Sequence, residues 1–230
     1  VGAQNHSDLS RVTNVSIIGQ FPGKFTVDIS KPQVDPWNVR AFQFVGGISH
    51  FLFANAFIKM ANPATDPFIK IEGAKAALEF NAVPLSNSTA LNPKDGVIVN
   101  VTSTGSIYGY GTTQVQGLLD SHFENIDGTG GITLRLETGV YLPGKTVANI
   151  TARNITCRDG HSAVMSGPHN QVNGRFEVQQ VLALGCQSAV GIEAGFGDNG
   201  PPGTFSNSSS VANVRAVYGT KAQTFKNLTG

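Results

Sequence analysis

The sequence predicts an all-β fold, a right-handed parallel β-helix of about eight turns, forming one domain over residues 1–230. Three observations predict it. Short apolar, strand-like runs follow one another with almost no helical periodicity between them. The later half repeats at a spacing of 25–30 residues, the mark of a solenoid in which each coil packs on its neighbours. Hairpin signals are scarce, Asn173-Gly174 being the one clear case, and this disfavours a β-sandwich.

The strand-like runs are VSII from Val15, RAFQFV from Arg40, HFLFANAFI from His50, VIVNV from Val97, ITLRL from Ile132, FEVQQVLAL from Phe176 and VANVRAV from Val211. Gly, Asn, Asp and Pro punctuate them, as tight turns require. The repeat aligns Ile126, Ile155 and Leu184, and it sets Cys157 against Cys186. Ser-Ala-Val occurs at Ser162–Val164 and again at Ser188–Val190. Fourteen phenylalanines suit a continuous stacked core. Loop insertions are expected at Met60–Phe68, Asn81–Lys94 and Gly195–Ser210, where turn-forming residues dominate.

Charge is sparse, 13% of residues against roughly a quarter in ordinary soluble domains. The net charge of +1 provides no field for nucleic acid or an anionic membrane, and no run of 18 uncharged apolar residues suggests a membrane span. The first residues, VGAQNHSDLS, do not resemble a signal peptide, so secretion implies that such a segment has been removed. Eight Asn-X-Ser/Thr triplets begin at Asn5, Asn14, Asn87, Asn100, Asn149, Asn154, Asn207 and Asn227. They exceed what the composition predicts and point to an extracellular, N-glycosylated protein. Asn14, Asn100, Asn149, Asn154 and Asn227 also fit strand entries selected for packing, whereas Asn5, Asn87 and Asn207 stand in loop-like sequence. Cys157 and Cys186, about one coil apart, suit a disulfide between neighbouring coils in an oxidising compartment; two buried thiols are the alternative.

In ITLRLETG, alternation sends Ile132, Leu134 and Leu136 inward and Thr133, Arg135, Glu137 and Gly139 outward. An outward acid beside arginine is either a solvated pair or a general acid in a groove. The motifs Gly109-Tyr-Gly with Gln114, GGITLRLET from Gly130, the Asn154-Ile-Thr-Cys turn and AVMSGPH ending at His169 resemble the iota-carrageenases, over about Gly109–Val190. That glycoside hydrolase family has a right-handed parallel β-helix and performs inverting hydrolysis of a sulfated galactan. The resemblance implies Glu137 as the general acid, with Gln114 and His169 organising the groove. It also implies a base two residues after the acid, where this chain has Gly139, which cannot take a proton. Asp127, Asp159 and His161 are the candidates to replace it.

Sulfate recognition calls for arginine and lysine; Arg135, Lys145, Arg153, Arg158 and Arg175 lie near the motif. His6, His50, His122, His161 and His169 have no metal-binding spacing, and no phosphate loop or nucleophile elbow is present, so no metal or cofactor is expected. No capping helix is evident, so the coil ends belong to a larger protein or pair with copies of the chain. Two functions follow. One is a structural glycoprotein subunit that self-associates end to end into an extracellular fibre or coat; the other is a secreted polysaccharide hydrolase using Glu137.

Overall fold

The structure, a computed structural model, describes residues 12–20, 24–29, 40–60, 76–86, 89–104, 113–137, 148–166, 174–192, 203–211, 217–218 and 223–226. All regular structure in these residues is β. The first sheet comprises β1 (Ser16–Ile18), β2 (Phe25–Ile29), β4 (Ser49–Met60), β8 (Lys94–Thr104), β10 (Ser121–Thr129), β12 (Ala148–Arg158), β14 (Gly174–Leu184), β16 (Gly203–Val211) and β18 (Gln223–Lys226). The second comprises β3 (Arg40–Val45), β5 (Ala76–Asn81), β9 (Thr113–Gln116), β11 (Ile132–Glu137), β13 (Ser162–Ser166), β15 (Ser188–Ile192) and β17 (Val217–Tyr218). Within each sheet the strands are parallel and follow one another in coil order, while the chain alternates between sheets. That is a parallel β-helix.

The long strands of the first sheet share one bend at a common position. Asn55, Asn100, Asn125, Asn154 and Gln180 all have φ between 55° and 57°, a left-handed conformation that asparagine tolerates better than most residues. The bend inserts one residue into the two-residue alternation, so Phe123 and Ile126, three apart, both face the core. Phe53/Ala56, Ile98/Val101, Ala152/Ile155 and Val178/Val181 repeat the pattern. At the bend the side-chain amides form a ladder. Asn154 Nδ2 donates to Asn125 Oδ1 at 2.8 Å, Asn125 Nδ2 to Asn100 Oδ1 at 3.0 Å and Asn100 Nδ2 to Asn55 Oδ1 at 3.0 Å. Asn55 Nδ2 ends the ladder on the Gly19 carbonyl at 3.1 Å.

Asn100→Ala removes two of these bonds and forces a Cβ into the left-handed region, so a loss of about 2 kcal/mol is expected. Asn100→Gly keeps the backbone at ease and should lose about half of that. Urea melts of the two variants measure the difference.

Two registers in the later coils differ from those expected. Ile126 pairs with Ile155 as the repeat predicts, but Ile155 pairs with Val181, and Leu184 with Arg158. The Ser-Ala-Val repeat is the true guide there, since Ser162 pairs with Ser188 and Val164 with Val190. Coil length varies because the turns differ, while register follows the buried pattern. Cys157 therefore pairs with Ala183, and its disulfide partner Cys186 lies beyond the strand, with the two Cα atoms 6.3 Å apart. The bond closes a separation of 29 residues, and Cys157→Ser/Cys186→Ser should cost roughly 2 to 4 kcal/mol by the loop-entropy relation, read as a lowered denaturation midpoint.

The insertion at Asn81–Lys94 contains an antiparallel hairpin outside both sheets, β6 (Val83–Ser86) with β7 (Thr89–Leu91), and Lys94 already belongs to β8. Met60 ends β4, and the rest of Met60–Phe68 lies outside the described residues. Gly195–Ser210 is not a loop throughout. Gly203 onward forms β16, in register with β14, because the preceding coil offers a continuous backbone ladder whatever the side-chain propensities. Asn207, expected in a loop, falls inside that strand. Gly174 opens β14, a strand of the parallel first sheet.

The core runs as columns, one being Phe53–Ile98–Phe123–Ala152–Val178. Its first coils are aromatic. Phe44 stacks on Phe51 and on Phe80 at 5.1 and 5.0 Å, and Phe42 meets Phe53 edge-on at 5.0 Å. In the later coils aliphatic residues dominate the core, with Ile150, Ile155, Val164, Val178, Val181 and Val190 buried alongside Phe176.

Candidate functional site

Successive strands of the second sheet place one outward residue of each coil in a single row. Gln43 pairs with Glu79, Glu79 with Gln114, Gln114 with Arg135, and Arg135 with Met165. Alternation makes this the outer face, since Leu78, Phe80, Leu134 and Leu136 lie in the core. Thr133 and Arg135 were expected on the outer face, with a solvated acid–arginine pair as one of two readings. Both are buried, Thr133 fully and Arg135 to 8% exposure. Thr133 Oγ1 donates to the Thr156 carbonyl at 3.1 Å, so the corner between the two sheets holds it.

Glu79 and Gln114 are only 3% and 2% exposed. The Glu79 carboxylate pairs with the Arg40 guanidinium and accepts from Gln43 Nε2 at 3.3 Å. Burial pulls the Arg40 guanidinium below its usual value, and guanidinium nevertheless stays protonated in proteins. The Gln114 amide oxygen is buried without a hydrogen-bond partner among the described residues. Such an acceptor costs about 1 to 3 kcal/mol, a cost that sites built for ligands commonly carry.

Glu137 ends β11, in register with Gln116 and two residues beyond Arg135. Its backbone thus lies on the strand beside Gln114; its side chain, like His169 and Gly139, is outside the described residues. None of the candidate replacement bases approaches this strand end. Asp127 stands on the first sheet, held by Arg158 Nε at 3.1 Å. Asp159 turns the chain after β12 with φ 49°. His161 hydrogen-bonds Ser162 through Nδ1 at 2.9 Å. Ser162 pairs with Ile132, so His161 sits about six residues, some 20 Å, from the Glu137 end.

Of the basic residues near the motif whose side chains the structure describes, only Arg135 lies in the row. Arg153 donates to Gln180 Oε1 at 2.8 Å and Arg158 binds Asp127, both on the first sheet. Arg175 has its backbone in β14, and Lys145 lies outside the described residues. Sequence reasoning missed Arg40, Gln43 and Glu79. The available signal was Glu79 itself, a lone acid within the apolar run Ala76–Phe80.

Among the triplet asparagines, Asn100 and Asn154 are ladder members whose Nδ2 atoms are hydrogen-bonded. Asn149 donates to Asp120 Oδ1 at 2.8 Å, and Asn14 takes a left-handed bend with φ 59°. These four have packing reasons to be asparagine. Asn5, Asn87 and Asn227 are outside the described residues. No group of three or more His, Cys, Asp or Glu among the described residues could hold a metal ion.

No family model matches the chain. An iota-carrageenase of Alteromonas macleodii is 37% identical over 107 residues, 45% of this chain and 22% of that protein. One of Zobellia galactanivorans is 32% identical over 195 residues, 81% of this chain and 35% of that protein. The chain therefore spans about a fifth to a third of the length of the relatives it matches. Among solved structures, an iota-carrageenase complexed to iota-carrageenan fragments superposes with TM-score 0.65 at 27% identity, over 82% of this chain and 39% of that one. An iota-carrageenase of family GH82 from A. fortis, in absence of chloride ions, gives TM-score 0.63 at 26% identity, over 81% of this chain and 37% of that one. The described coils form a right-handed parallel β-helix, and in sequence and fold this chain resembles the iota-carrageenases over part of their length.

Proposed function

We propose that this carrageenase-like β-helix is an extracellular protein that binds a sulfated galactan along the outer face of its second sheet, with Glu137 as the acid of an inverting hydrolysis. The observation that carries the reading is the buried polar row. Glu79, Gln114 and Arg135 are together withdrawn from solvent on an outward face, where a purely structural solenoid gains nothing from desolvating charge. In the reaction, Glu137 would protonate the glycosidic oxygen as the carbon–oxygen bond breaks. The step also needs a base to take a proton from the attacking water; with Gly139 in that place, none of the residues named above supplies it, and turnover by this chain is expected to be slow. Arg135 suits a sulfate by charge and by its fork of donors. The disulfide and the dense Asn-X-Ser/Thr triplets support the extracellular setting.

Electrophoresis of the chain through gels containing iota-type sulfated galactan tests the binding. Retardation should be strong for the wild type and about tenfold weaker for Arg135→Ala, in line with a charged hydrogen bond. Equal mobility with and without the polysaccharide sinks the reading.

A second reading has its own support. Ile18 on β1 and Val45 on β3 are 53% and 46% exposed, and both strands stand at the edge of their sheets. Edges that no other described strand pairs, with apolar side chains, would suit end-to-end self-association into a fibre or coat. Electron microscopy of the native material distinguishes the two. Filaments repeating at the height of one β-helix support the structural subunit, and dispersed particles remove it.

A further inference from the structure

We propose that Glu79, with Gln114 beside it, is a specificity-determining pair that accepts hydrogen bonds from an unsulfated sugar hydroxyl, so that this point of the groove selects against sulfate. The proposal rests on the galactan-binding reading and adds which part of the sugar meets which part of the row. Along the row the chemistry runs from amide to carboxylate to amide to guanidinium, through Gln43, Glu79, Gln114 and Arg135, with Arg40 paired to the Glu79 carboxylate. Both contacts to Glu79, from Arg40 and from Gln43, fall on the same oxygen, Oε2. A carboxylate offers roughly four acceptor positions, more than these two contacts use, and Gln114 stands beside Glu79 in the row. There the Gln114 amide oxygen is buried and lacks a donor among the described residues.

Neighbouring parallel strands set the two residues about 4.8 Å apart at their backbones, close enough for both side chains to address one oxygen. Two acceptors, one of them anionic, suit a neutral O–H group and repel a sulfate. Arg40 and Gln43 keep the carboxylate oriented. Sites built around a substrate hydroxyl reject analogues that lack the donor, because their buried acceptors are then stranded.

The experiment is calorimetric titration of the full chain with sulfated galactan oligosaccharides and with the same oligosaccharides O-methylated at their free hydroxyls. Wild type should bind the methylated ligand roughly 10- to 100-fold more weakly. Glu79→Gln should bind both forms within threefold of each other, and Glu79→Asp should retain most of the preference. Gln114→Met gives a second route should Glu79→Gln fail to fold, and it too should narrow the gap. A wild type that binds both ligands equally overturns the proposal while leaving galactan binding intact, as do variants that keep the full preference. A wild type that binds neither overturns the galactan reading itself, and the proposal with it.

Discussion

Gly139→Asp is expected to raise hydrolysis of iota-type galactan by about 10²- to 10⁴-fold, the range a positioned general base contributes. The reasoning is stereochemical. Residues i and i+2 of a strand share a face, about 7 Å apart along it, and an inverting pair needs about 6.5 to 9.5 Å between carboxyl groups to admit a water. On the proposed reading Glu137 takes the acid position, and Gly139 leaves the base position without a proton acceptor. Asp127, Asp159 and His161 do not fill it, being engaged elsewhere or about 20 Å from the strand end. Reducing-sugar release from the wild type, Gly139→Asp and Gly139→Asp/Glu137→Gln measures it. The gain should appear in the single variant and vanish in the double one. An unchanged rate in Gly139→Asp removes Glu137 and Gly139 from any shared mechanism, and a gain that survives Glu137→Gln removes Glu137 as the acid.

Phe80→Ala should destabilise the fold by about 4 kcal/mol, within the usual range for removing a buried aromatic ring. Phe80 is fully buried on β5 and contacts Phe44, Phe51 and Phe123 at ring separations of 5.0, 5.8 and 6.1 Å. The lost ring leaves a cavity among other rigid rings that cannot close in. Because coils of a solenoid contact only their neighbours, the loss should be local. Hydrogen exchange should accelerate in β3, β5 and β4 and change little in β13 and β15. Uniform acceleration throughout would mean that the coils unfold as one cooperative unit. Phe80→Leu, which refills much of the space, should cost less than half as much.

Strand positions were legible because period-two alternation is a local property. RAFQFV and ITLRL are strands where the alternation places them, and Ile132, Leu134 and Leu136 are buried as expected. The disulfide was one of two readings of the coil spacing, two buried thiols being the other, and the bond is formed although the register sets Cys157 against Ala183. Register in the later coils was less legible, because a constant period assumes turns of equal length. From β12 to β14 the period is 26 residues, as Ile155 pairs with Val181. GTFSNSSSV was misread because serine and asparagine favour turns in isolation, while a neighbouring strand can hold such a segment extended.

What the sequence determined by itself is the solenoid, the inward residues of the ITLRL strand and the motif that resembles a carrageenase strand. These depend on residues close in the chain or on the spacing of repeats. Only the tertiary structure decided that Gln43, Glu79, Gln114 and Arg135 form one row, since they come from four coils and 92 residues of separation carry no local signal. It alone decided that the asparagines at 55, 100, 125 and 154 hydrogen-bond as a ladder. The physical reason is the same in both cases. Parallel stacking converts residues far apart in sequence into neighbours about 4.8 Å apart, and burial then depends on what each coil places beside the next.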